Sequence, residues 1–547
     1  MDRVARMSGP RWRVENRQLL FDGEAVLLLG GQLHNSTASS SEATARAFAH
    51  AAALGANAVI APVSWDLCER EEGDFDFSVA DALLTHAHTA DLRLVVLWFG
   101  AFKNAASTYA PRWVRADADR FPRAVVGAHD RPPFTYEGAT HKPVLSVFSP
   151  ALRDADATAF ERFVRFLAVH PFRDRVALLQ VENEVGLLAD SRDRSAIAEV
   201  AWRSPVPDDF LEFLRGSAQE STARGLWEAR GAPASGTWSE ILGDGWEADE
   251  VFMAWAFSTY VESLARRAAG IWPLPLYANA WLGPQPGQDR AGQYPSGGPG
   301  SRVLDVWRAG APSLAMLCPD IYVDEAAPVV RTYASADRAL FVPECRVRVG
   351  DIATSLAAGA VGWSAFGLED IRVGSQVSQL LGQLTQIESV LVAAQQEGRL
   401  TAVVLPPDAE AERVVVGDLE LVARGTRALF ERMLLDAGVG HPTAPPSPPE
   451  ETLPGAAVAS PHDTRPFGLI LDEGDDTFLV FGQGLTLDFF LADSVVEYDS
   501  VVEGCFVDGS WMPGRSLNGD ERLRILPLDE VGAVRIRLVR VSGATTS

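Results

Sequence analysis

Over about the first 400 residues, short apolar runs alternate with longer stretches of helical periodicity, and this alternation strongly constrains the fold. Eight such runs begin at Ala25, Asn57, Leu92, Val176, Leu274, Leu314, Ala339 and Ala360. Continuous apolar runs are typical of parallel strands buried on both faces, and eight strand–helix units close into a barrel. The sequence therefore predicts an α/β fold, a (β/α)8 TIM barrel. The alternative, an open doubly wound sheet, requires a glycine-rich phosphate turn after its first strand, and GGQLHNSTASS is not one.

The pattern changes after about residue 398. TAVVL, RVVVGDLELVAR, GLILDEGDDTFLVFGQGLTLDFF and VRIRLVRV alternate apolar and polar residues, as strands with one packed face do. We therefore predict a catalytic barrel over residues 1–397 and a C-terminal all-β, sandwich-like accessory domain over residues 398–547. Residues 441–455, HPTAPPSPPEETLPG, are predicted to form an extended loop within that domain because their prolines fix φ and lack N–H donors.

The composition argues against nucleic-acid, metal and membrane partners. The chain has 73 acidic residues against 48 Lys and Arg, a net charge of −25, whereas a nucleic-acid surface needs clustered cations. Four cysteines without CxxC spacing predict no zinc site and no disulfide framework, so we expect no metal and no cofactor. Without a long apolar run or an export signal, we expect no membrane partner and a cytoplasmic protein, which could assemble as a homo-oligomer.

Two glutamates follow predicted barrel strands, at the end where such barrels place their chemistry. The fourth strand ends QVENEVG, with Asn183 and Glu184 after the apolar run, and the seventh ends LFVPECR, with Glu344 after a proline. Hydrolysis of a glycoside needs one carboxylic acid and one carboxylate that face each other across the sugar. We interpret Glu184 and Glu344 as this pair. Glu182 is the competitor for the acid/base, because strand alternation predicts that it faces the same side, deeper in the barrel.

Several longer motifs then carry a family resemblance. The Asn-Glu on strand four and the Glu on strand seven are similar to those of clan A of the glycoside hydrolases. The segments 30–40, 57–77, 97–114 and 279–299 resemble the bacterial β-galactosidases of family 35. GLTLDFF and GSWMPGRSLNGDE resemble the accessory C-terminal domain, of no assigned role, that one branch of that family carries.

The resemblance implies a double displacement with retention of configuration and no cofactor. It implies that Glu344 attacks the anomeric carbon, and that Glu184 protonates the aglycone and then deprotonates water. Asn183 is expected to bind the 2-hydroxyl of the sugar, and Tyr322 to orient the nucleophile. The expected activity is that of an exo-acting β-galactosidase that releases terminal β-D-galactose.

Further substrate-binding residues are expected around this pair. The family's second-strand motif, Trp-Asn-x-His-Glu-Pro, survives here only as Trp65 and Glu69, and Glu69 is expected to accept hydrogen bonds from sugar hydroxyls. The other expected contacts are two amides and two sugar-stacking rings, namely Asn35, Asn279, Trp98 and Trp363.

Three alternatives stay open at this stage. The same barrel could act on another sugar, such as an α-L-arabinopyranoside, which differs from a β-D-galactoside only at the hydroxymethyl group. It could be an endo-glucanase of the same clan, or a sugar-binding scaffold on a barrel that has lost catalysis. Glu184 and Glu344 together argue against the scaffold, because a retired site has no reason to keep both.

Overall fold

A computed structural model describes residues 11–127, 144–334, 338–406, 409–439, 463, 465–492 and 494–541. The chain begins with a three-stranded antiparallel sheet formed by β1 (Trp12–Glu15), β2 (Gln18–Phe21) and β3 (Glu24–Val26). Its tight turns place Asn16, Arg17 and Asp22 at positive φ, as two-residue hairpin turns require. The sequence did not predict this sheet, because its third strand runs on into the first apolar run of the barrel.

The parallel strands form a closed barrel, and the predicted TIM barrel is confirmed. They are β4 (Leu28–Gln32), β5 (Ala58–Ser64), β6 (Arg93–Lys103), β7 (Val176–Asn183), β8 (Leu276–Trp281), β9 (Met316–Ile321), β10 (Leu340–Val342), β11 (Glu344–Cys345) and β12 (Ala360–Phe366). Pro343, which has no N–H, divides the seventh barrel strand into β10 and β11. The second part of the seventh strand, β11, pairs with β9, and the first part, β10, pairs with β12. Because β12 in turn pairs with β4, the seventh strand closes the ring.

Helices cover the outside of the barrel and fill two long excursions after β6 and β7. They are α1 (Ser41–Ala53), α2 (Trp65–Cys68), α3 (Ser78–Thr89), α4 (Arg112–Ala116), α5 (Pro150–Val169), α6 (Ala196–Arg203), α7 (Asp208–Gly216), α8 (Thr222–Ala229), α9 (Trp238–Leu242), α10 (Trp246–Ala269), α11 (Leu304–Gly310), α12 (Ala326–Tyr333), α13 (Val349–Ala357), α14 (Gln376–Leu384) and α15 (Glu388–Gln396). Helix α5 begins where local chemistry favours it, with Ser149 capping the Leu152 amide and Pro150 in the first turn. Among the described helices, none is long and apolar enough to cross a membrane.

The described residues of the C-terminal part form mainly β-strands, as predicted, and these pair antiparallel. They also include a helix that was not predicted, α16 (Thr426–Asp436). Its strands are β13 (Leu400–Val404), β14 (Ala411–Val416), β15 (Leu419–Gly425), β16 (Phe467–Gly474), β17 (Thr477–Gln483), β18 (Leu485–Phe490), β19 (Val495–Val507), β20 (Ser510–Ser516) and β21 (Gly532–Val541). β13, β16, β17, β21, β19 and β20 form one sheet in this order, and β14, β15 and β18 form a second. The predicted loop over residues 441–455 lies outside the described residues.

Strand alternation gives the larger sheet two apolar faces. On β16, Phe467, Leu469 and Leu471 belong to the same apolar core as the barrel, whereas Ile470 belongs to the core between the two C-terminal sheets. A buried hydrogen bond of 2.5 Å from Gln376 Nε2 to Gln483 Oε1 joins helix α14 of the barrel to strand β17 of the larger C-terminal sheet. The C-terminal sheets are therefore packed onto the barrel by a continuous apolar contact.

Candidate active site

Three carboxyl groups meet at the carboxyl ends of the barrel strands. Glu184 directly follows β7, Asp320 lies near the end of β9, and Glu344 begins β11, opposite Asp320 in the strand register. One carboxylate oxygen from each lies within 4.8 Å of the other two, and all three side chains are buried. We refer to Glu184, Asp320 and Glu344 as the inner carboxyl cluster. It brings together the two glutamates that the sequence paired.

The backbone of Glu184 adopts an uncommon conformation that its neighbours fix. Its φ is 45°, in the left-handed region that a residue with a side chain enters only at a cost in free energy. The Asn279 amide oxygen accepts the Glu184 N–H at 2.9 Å, and the Ala105 N–H donates to the Glu184 carbonyl at 3.1 Å. Strained backbone held in this way is typical of functional sites.

The electrostatics of the cluster suit an acid at neutral pH. Burial and the charge of Glu344 raise the pKa of Glu184 to about 7, while the Lys103 ammonium and a hydrogen bond from Asp320 act in the opposite direction. A general acid works best when its pKa lies near the pH at which the enzyme operates. Glu184 can therefore hold a proton up to about neutrality and release it within the site.

Glu344 is oriented by a single strong donor. The Tyr322 hydroxyl donates to Glu344 Oε1 at 2.6 Å, which is the contact that the family resemblance implied. Burial and the neighbouring carboxylates raise the pKa of Tyr322 well above its usual range, so the phenol remains a donor. No donor from the described residues reaches the buried Glu344 Oε2. One oxygen is thus held and the other is left available to a substrate.

An amide network lies beneath the cluster. Asn183 Oδ1 accepts from Gln180 Nε2 at 3.0 Å and from Asn279 Nδ2 at 3.2 Å, whereas Asn183 Nδ2 is buried with no partner among the described residues. Asn279 Nδ2 also donates to Asp320 Oδ2 at 2.6 Å. Both donors of Asn279 are thus engaged within the protein, so we correct the expected direct sugar contact. Asn279 orients Asn183, Glu184 and Asp320 instead.

A second pair of buried carboxyls, Asp156 of α5 and Glu182 of β7, lies on the outer side of the barrel wall. Glu182 Oε1 accepts the Ala101 N–H at 3.2 Å, and Oε2 accepts the Phe102 N–H at 2.7 Å. Burial and the Asp156 charge raise the pKa of Glu182 well above its usual range. We refer to Asp156 and Glu182 as the outer carboxyl pair.

The position of Glu182 corrects the expectation from strand alternation. Its φ is 62°, so the regular alternation of β7 breaks at this residue. The side chain turns toward α5 instead of lying beneath Glu184. Its contacts are the outer carboxyl pair and the amides of β6, which removes it as a competitor for contact with a substrate in the mouth.

The structure corrects the expected sugar contact of Trp98. The fully buried Trp98 donates from Nε1 to Asp156 Oδ1 at 3.0 Å and stacks on Phe163 of α5, so it does not stack on a sugar. Glu69 accepts from Trp65 Nε1 at 2.7 Å and from the Gly73 N–H at 2.8 Å. These contacts hold the loop after β5, and the expected contact of Glu69 with sugar hydroxyls remains a prediction.

Asn35 and Trp363 keep polar atoms without partners. Asn35 Oδ1 and Trp363 Nε1 are buried, and no described residue hydrogen-bonds to either. Buried polar atoms in native proteins are almost always satisfied, so such atoms near a site mark positions that a ligand can complete. The predicted roles of these two residues in sugar binding remain predictions.

Asp320 was not among the site residues predicted from the sequence. Its signal was present in the strand MLCPDI, where a charged residue interrupts a mostly apolar run. Charged residues are almost never fully buried unless they are paired. Asp320 was therefore predictable as a candidate site residue beside Tyr322.

The inner carboxyl cluster is also the set of described side chains that could hold a metal ion, because hard cations prefer carboxylate oxygens. A cation is already supplied by the protein: the charge of Lys103 lowers the pKa values of both Glu184 and Asp320. The Lys103 ammonium is itself held by Asn104 Oδ1 and lies 4.7 Å from the centre of the Phe99 ring. Buried carboxyls beside a fixed ammonium fit proton transfer without a metal.

A parallel barrel with facing carboxyls at the carboxyl ends of strands four and seven has the arrangement that hydrolysis of a glycoside requires. Comparison with known families agrees. Residues 18–119 match the model of glycosyl hydrolases family 35, and residues 377–527 match a domain of unknown function, DUF5597. The chain is accordingly a glycoside hydrolase in which residues 18–119, the first part of the barrel, match family 35 and residues 377–527 match an accessory domain without an assigned role.

Solved structures show more distant similarity. The β-galactosidase of Bacillus circulans sp. alkalophilus is 10% identical over 93% of this chain and 99% of its own, with a TM-score of 0.49. The polyextremophilic β-galactosidase of the Antarctic haloarchaeon Halorubrum lacusprofundi is 17% identical over 62% of this chain, with a TM-score of 0.38. This chain spans 52%, about half, of the haloarchaeal enzyme. No curated protein matches the chain significantly.

Proposed function

We propose that the protein is a retaining, exo-acting β-galactosidase in which Glu344 is the nucleophile and Glu184 the acid/base. The observation that carries the proposal is the approach of the Glu184 and Glu344 carboxyls, of which one oxygen each lie within 4.8 Å of each other. Retaining glycosidases hold their carboxyls about 5–5.5 Å apart, whereas inverting enzymes leave about 6.5–9.5 Å for a water molecule. The close spacing therefore favours double displacement.

In the first step, Glu344 Oε2 bonds to the anomeric carbon as the bond to the aglycone oxygen breaks. Glu184 transfers its proton to that oxygen, and the aglycone leaves as a neutral alcohol. In the second step, the Glu184 carboxylate takes a proton from water while the water oxygen attacks the anomeric carbon and releases Glu344. Two inversions return a β-configured sugar. The unpartnered Asn183 Nδ2 is suited to bind the 2-hydroxyl as the ring flattens.

Exo action is supported by enclosure of the site. Glu184 is 4% exposed and Glu344 6% exposed, so the reacting groups lie under the loops of the barrel mouth. A closed site admits the end of a sugar chain more readily than its middle, which argues against the endo-glucanase alternative. The choice of galactose rests on the match to family 35, and an α-L-arabinopyranoside is the substrate that would test it most closely.

The proposal is tested by following hydrolysis of a nitrophenyl β-galactoside by proton NMR. We expect β-galactose to appear first and to convert to the equilibrium mixture only by mutarotation. Initial α-galactose would mean inversion and would overturn the assignment of Glu344 as a nucleophile. A panel of other nitrophenyl glycosides, with the α-L-arabinopyranoside among them, then defines the sugar.

We also propose that the chain divides near residue 398 and that the C-terminal part serves structure rather than chemistry. Phe467, Leu469 and Phe481 of its larger sheet are fully buried in the core they share with the barrel. Removal of residues 398–547 would expose this apolar face to water, and loss of solubility is expected. A truncated protein that stays soluble and fully active would contradict the proposal.

A further inference from the structure

Asp320 is a third buried carboxyl in the reaction site, and the proposed mechanism does not yet use it. Its Oδ2 accepts from Asn279 Nδ2 at 2.6 Å, and one of its carboxyl oxygens lies within 4.8 Å of a carboxyl oxygen of Glu184. No donor from the described residues reaches Oδ1. Ionised carboxylates are acceptors only, so a hydrogen bond between two carboxyls requires that one of them carries the proton.

We propose that Asp320 is a positioning residue for the acid/base, and that its neutral carboxyl donates a hydrogen bond to Glu184. This inference rests on the function proposed above. The hydrogen bonds distinguish the two oxygens of the neutral Asp320 carboxyl. Oδ2 accepts from Asn279 and is therefore the carbonyl oxygen, whereas Oδ1 is the oxygen that carries the proton. Asn279 also accepts the Glu184 N–H, so one amide fixes both carboxyls relative to each other.

The surroundings support the assignment of the proton to Asp320. Burial, together with the charges of Glu344 and Glu184, raises the pKa of Asp320 well above its usual range, whereas the Lys103 charge acts in the opposite direction. Burial and the charge of Glu344 raise the pKa of Glu184 to about 7. The proposal therefore places the proton on Asp320 when Glu184 ionises.

Such a bond acts on both steps of the reaction. Glu184 is ionised directly after it has protonated the aglycone and until it takes a proton from water. A donor aimed at its carboxylate stabilises this form, because a hydrogen bond to the charged state favours that state. Asp320 thereby eases proton release in the first step and keeps the base oriented for the second.

Two substitutions at Asp320 distinguish a hydrogen-bond donor to Glu184 from a negative charge near Glu184 and from a side chain that only fills space. Asp320→Asn keeps an oxygen for Asn279 and offers an N–H to Glu184, so the alkaline limb of the kcat/KM profile should stay within roughly 0.3 pH unit of the wild type. Asp320→Ala removes the donor, and the limb should move to higher pH by about one unit. An alkaline limb that moves to lower pH in Asp320→Asn would show that a negative charge had been removed, and would overturn the proposal. Equal limbs in the wild type and both variants would also overturn it.

A measurement without turnover keeps this test independent of the proposed function. Infrared spectra at about pH 8 should contain the C=O stretch of protonated carboxyls, and Asp320→Asn should lose one such signal. Glu182→Gln is the matched control, because it removes the raised-pKa carboxyl of the outer carboxyl pair and should leave the Asp320 signal in place. A spectrum unchanged by Asp320→Asn would refute the neutral carboxyl even in an active galactosidase. A lost signal in a protein without galactosidase activity would refute the proposed function alone.

Discussion

Two groups of buried carboxyls lie on opposite sides of β7, and their hydrogen bonds differ in kind. In the outer carboxyl pair, each oxygen of Asp156 and Glu182 accepts from a protein donor, among them Trp98 Nε1, the Tyr260 hydroxyl and the Phe102 N–H. In the inner carboxyl cluster, Asp320 Oδ1 and Glu344 Oε2 are buried with no donor among the described residues. Both groups are buried, and each contains a carboxyl with a raised pKa, Glu182 in the outer pair and Glu184 in the inner cluster. The two groups differ in that the inner cluster keeps unfilled hydrogen-bonding capacity, which a substrate can complete.

The comparison predicts its largest effect at Glu344. Glu344→Gln should lower kcat by about a thousandfold or more, because an amide cannot form the glycosyl-enzyme. Steady-state rates on a nitrophenyl β-galactoside check this. Glu182→Gln, a change of the same size on the other side of the wall, should cost less than about tenfold if the variant folds. A decrease in kcat of less than about tenfold in Glu344→Gln would show that Glu344 is not the nucleophile.

The activity lost in Glu184→Ala should depend on the leaving group of the substrate, whereas the activity lost in Glu182→Ala should not. Glu184→Ala should be about 10²–10⁴-fold slower on a galactosyl disaccharide, because protonation of a poor leaving group limits the first step. On a dinitrophenyl galactoside, whose aglycone departs unaided, the first step should be nearly unaffected in a pre-steady-state burst. Glu182→Ala should lose activity equally on both substrates. If the activity of Glu182→Ala depended on the leaving group instead, Glu182 and not Glu184 would be the acid/base.

The inner carboxyl cluster should also govern the pH dependence of activity. Because the pKa of Glu184 is about 7, the proton needed in the first step is present below that pH and is lost above it. The value of kcat/KM should therefore fall about tenfold per pH unit above neutrality. This limb should be absent in Glu184→Ala on the dinitrophenyl substrate. A wild-type rate that stays constant up to about pH 9 would contradict the raised pKa.

Glu182 of the outer carboxyl pair should contribute to the pH dependence of stability, which is the smallest of these effects. Glu182 has a folded-state pKa well above its ordinary value of 4.5, so the folded state holds a proton that the unfolded state has released. Stability from this group is full below pH 4.5 and falls by about 1.4 kcal/mol per pH unit until the folded-state pKa is reached. Urea unfolding of Glu182→Gln should lack this decline relative to the wild type. Parallel stability curves for the two proteins would show that Glu182 is ionised.

The sequence predicted the barrel, the all-β C-terminal part and the pairing of Glu184 with Glu344, because apolar periodicity and strand ends are encoded locally. It could not predict that β7 departs from regular alternation at Glu182, since a positive φ there is stabilised by contacts with β6 and α5. Trp98 was misplaced for a related reason: in a parallel barrel both faces are apolar, so sequence alone does not tell inward from outward.

The central claim, that Glu184 is the acid/base opposite a covalent nucleophile, is tested most directly by azide rescue. Glu184→Ala and Glu182→Ala are each supplied with a dinitrophenyl galactoside and azide, and the product is identified by proton NMR. The account predicts that azide accelerates Glu184→Ala alone and yields β-galactosyl azide, because a small anion can enter the space that the carboxylate left on the β face. Rescue of Glu182→Ala instead, or an α-galactosyl azide from Glu184→Ala, would contradict it.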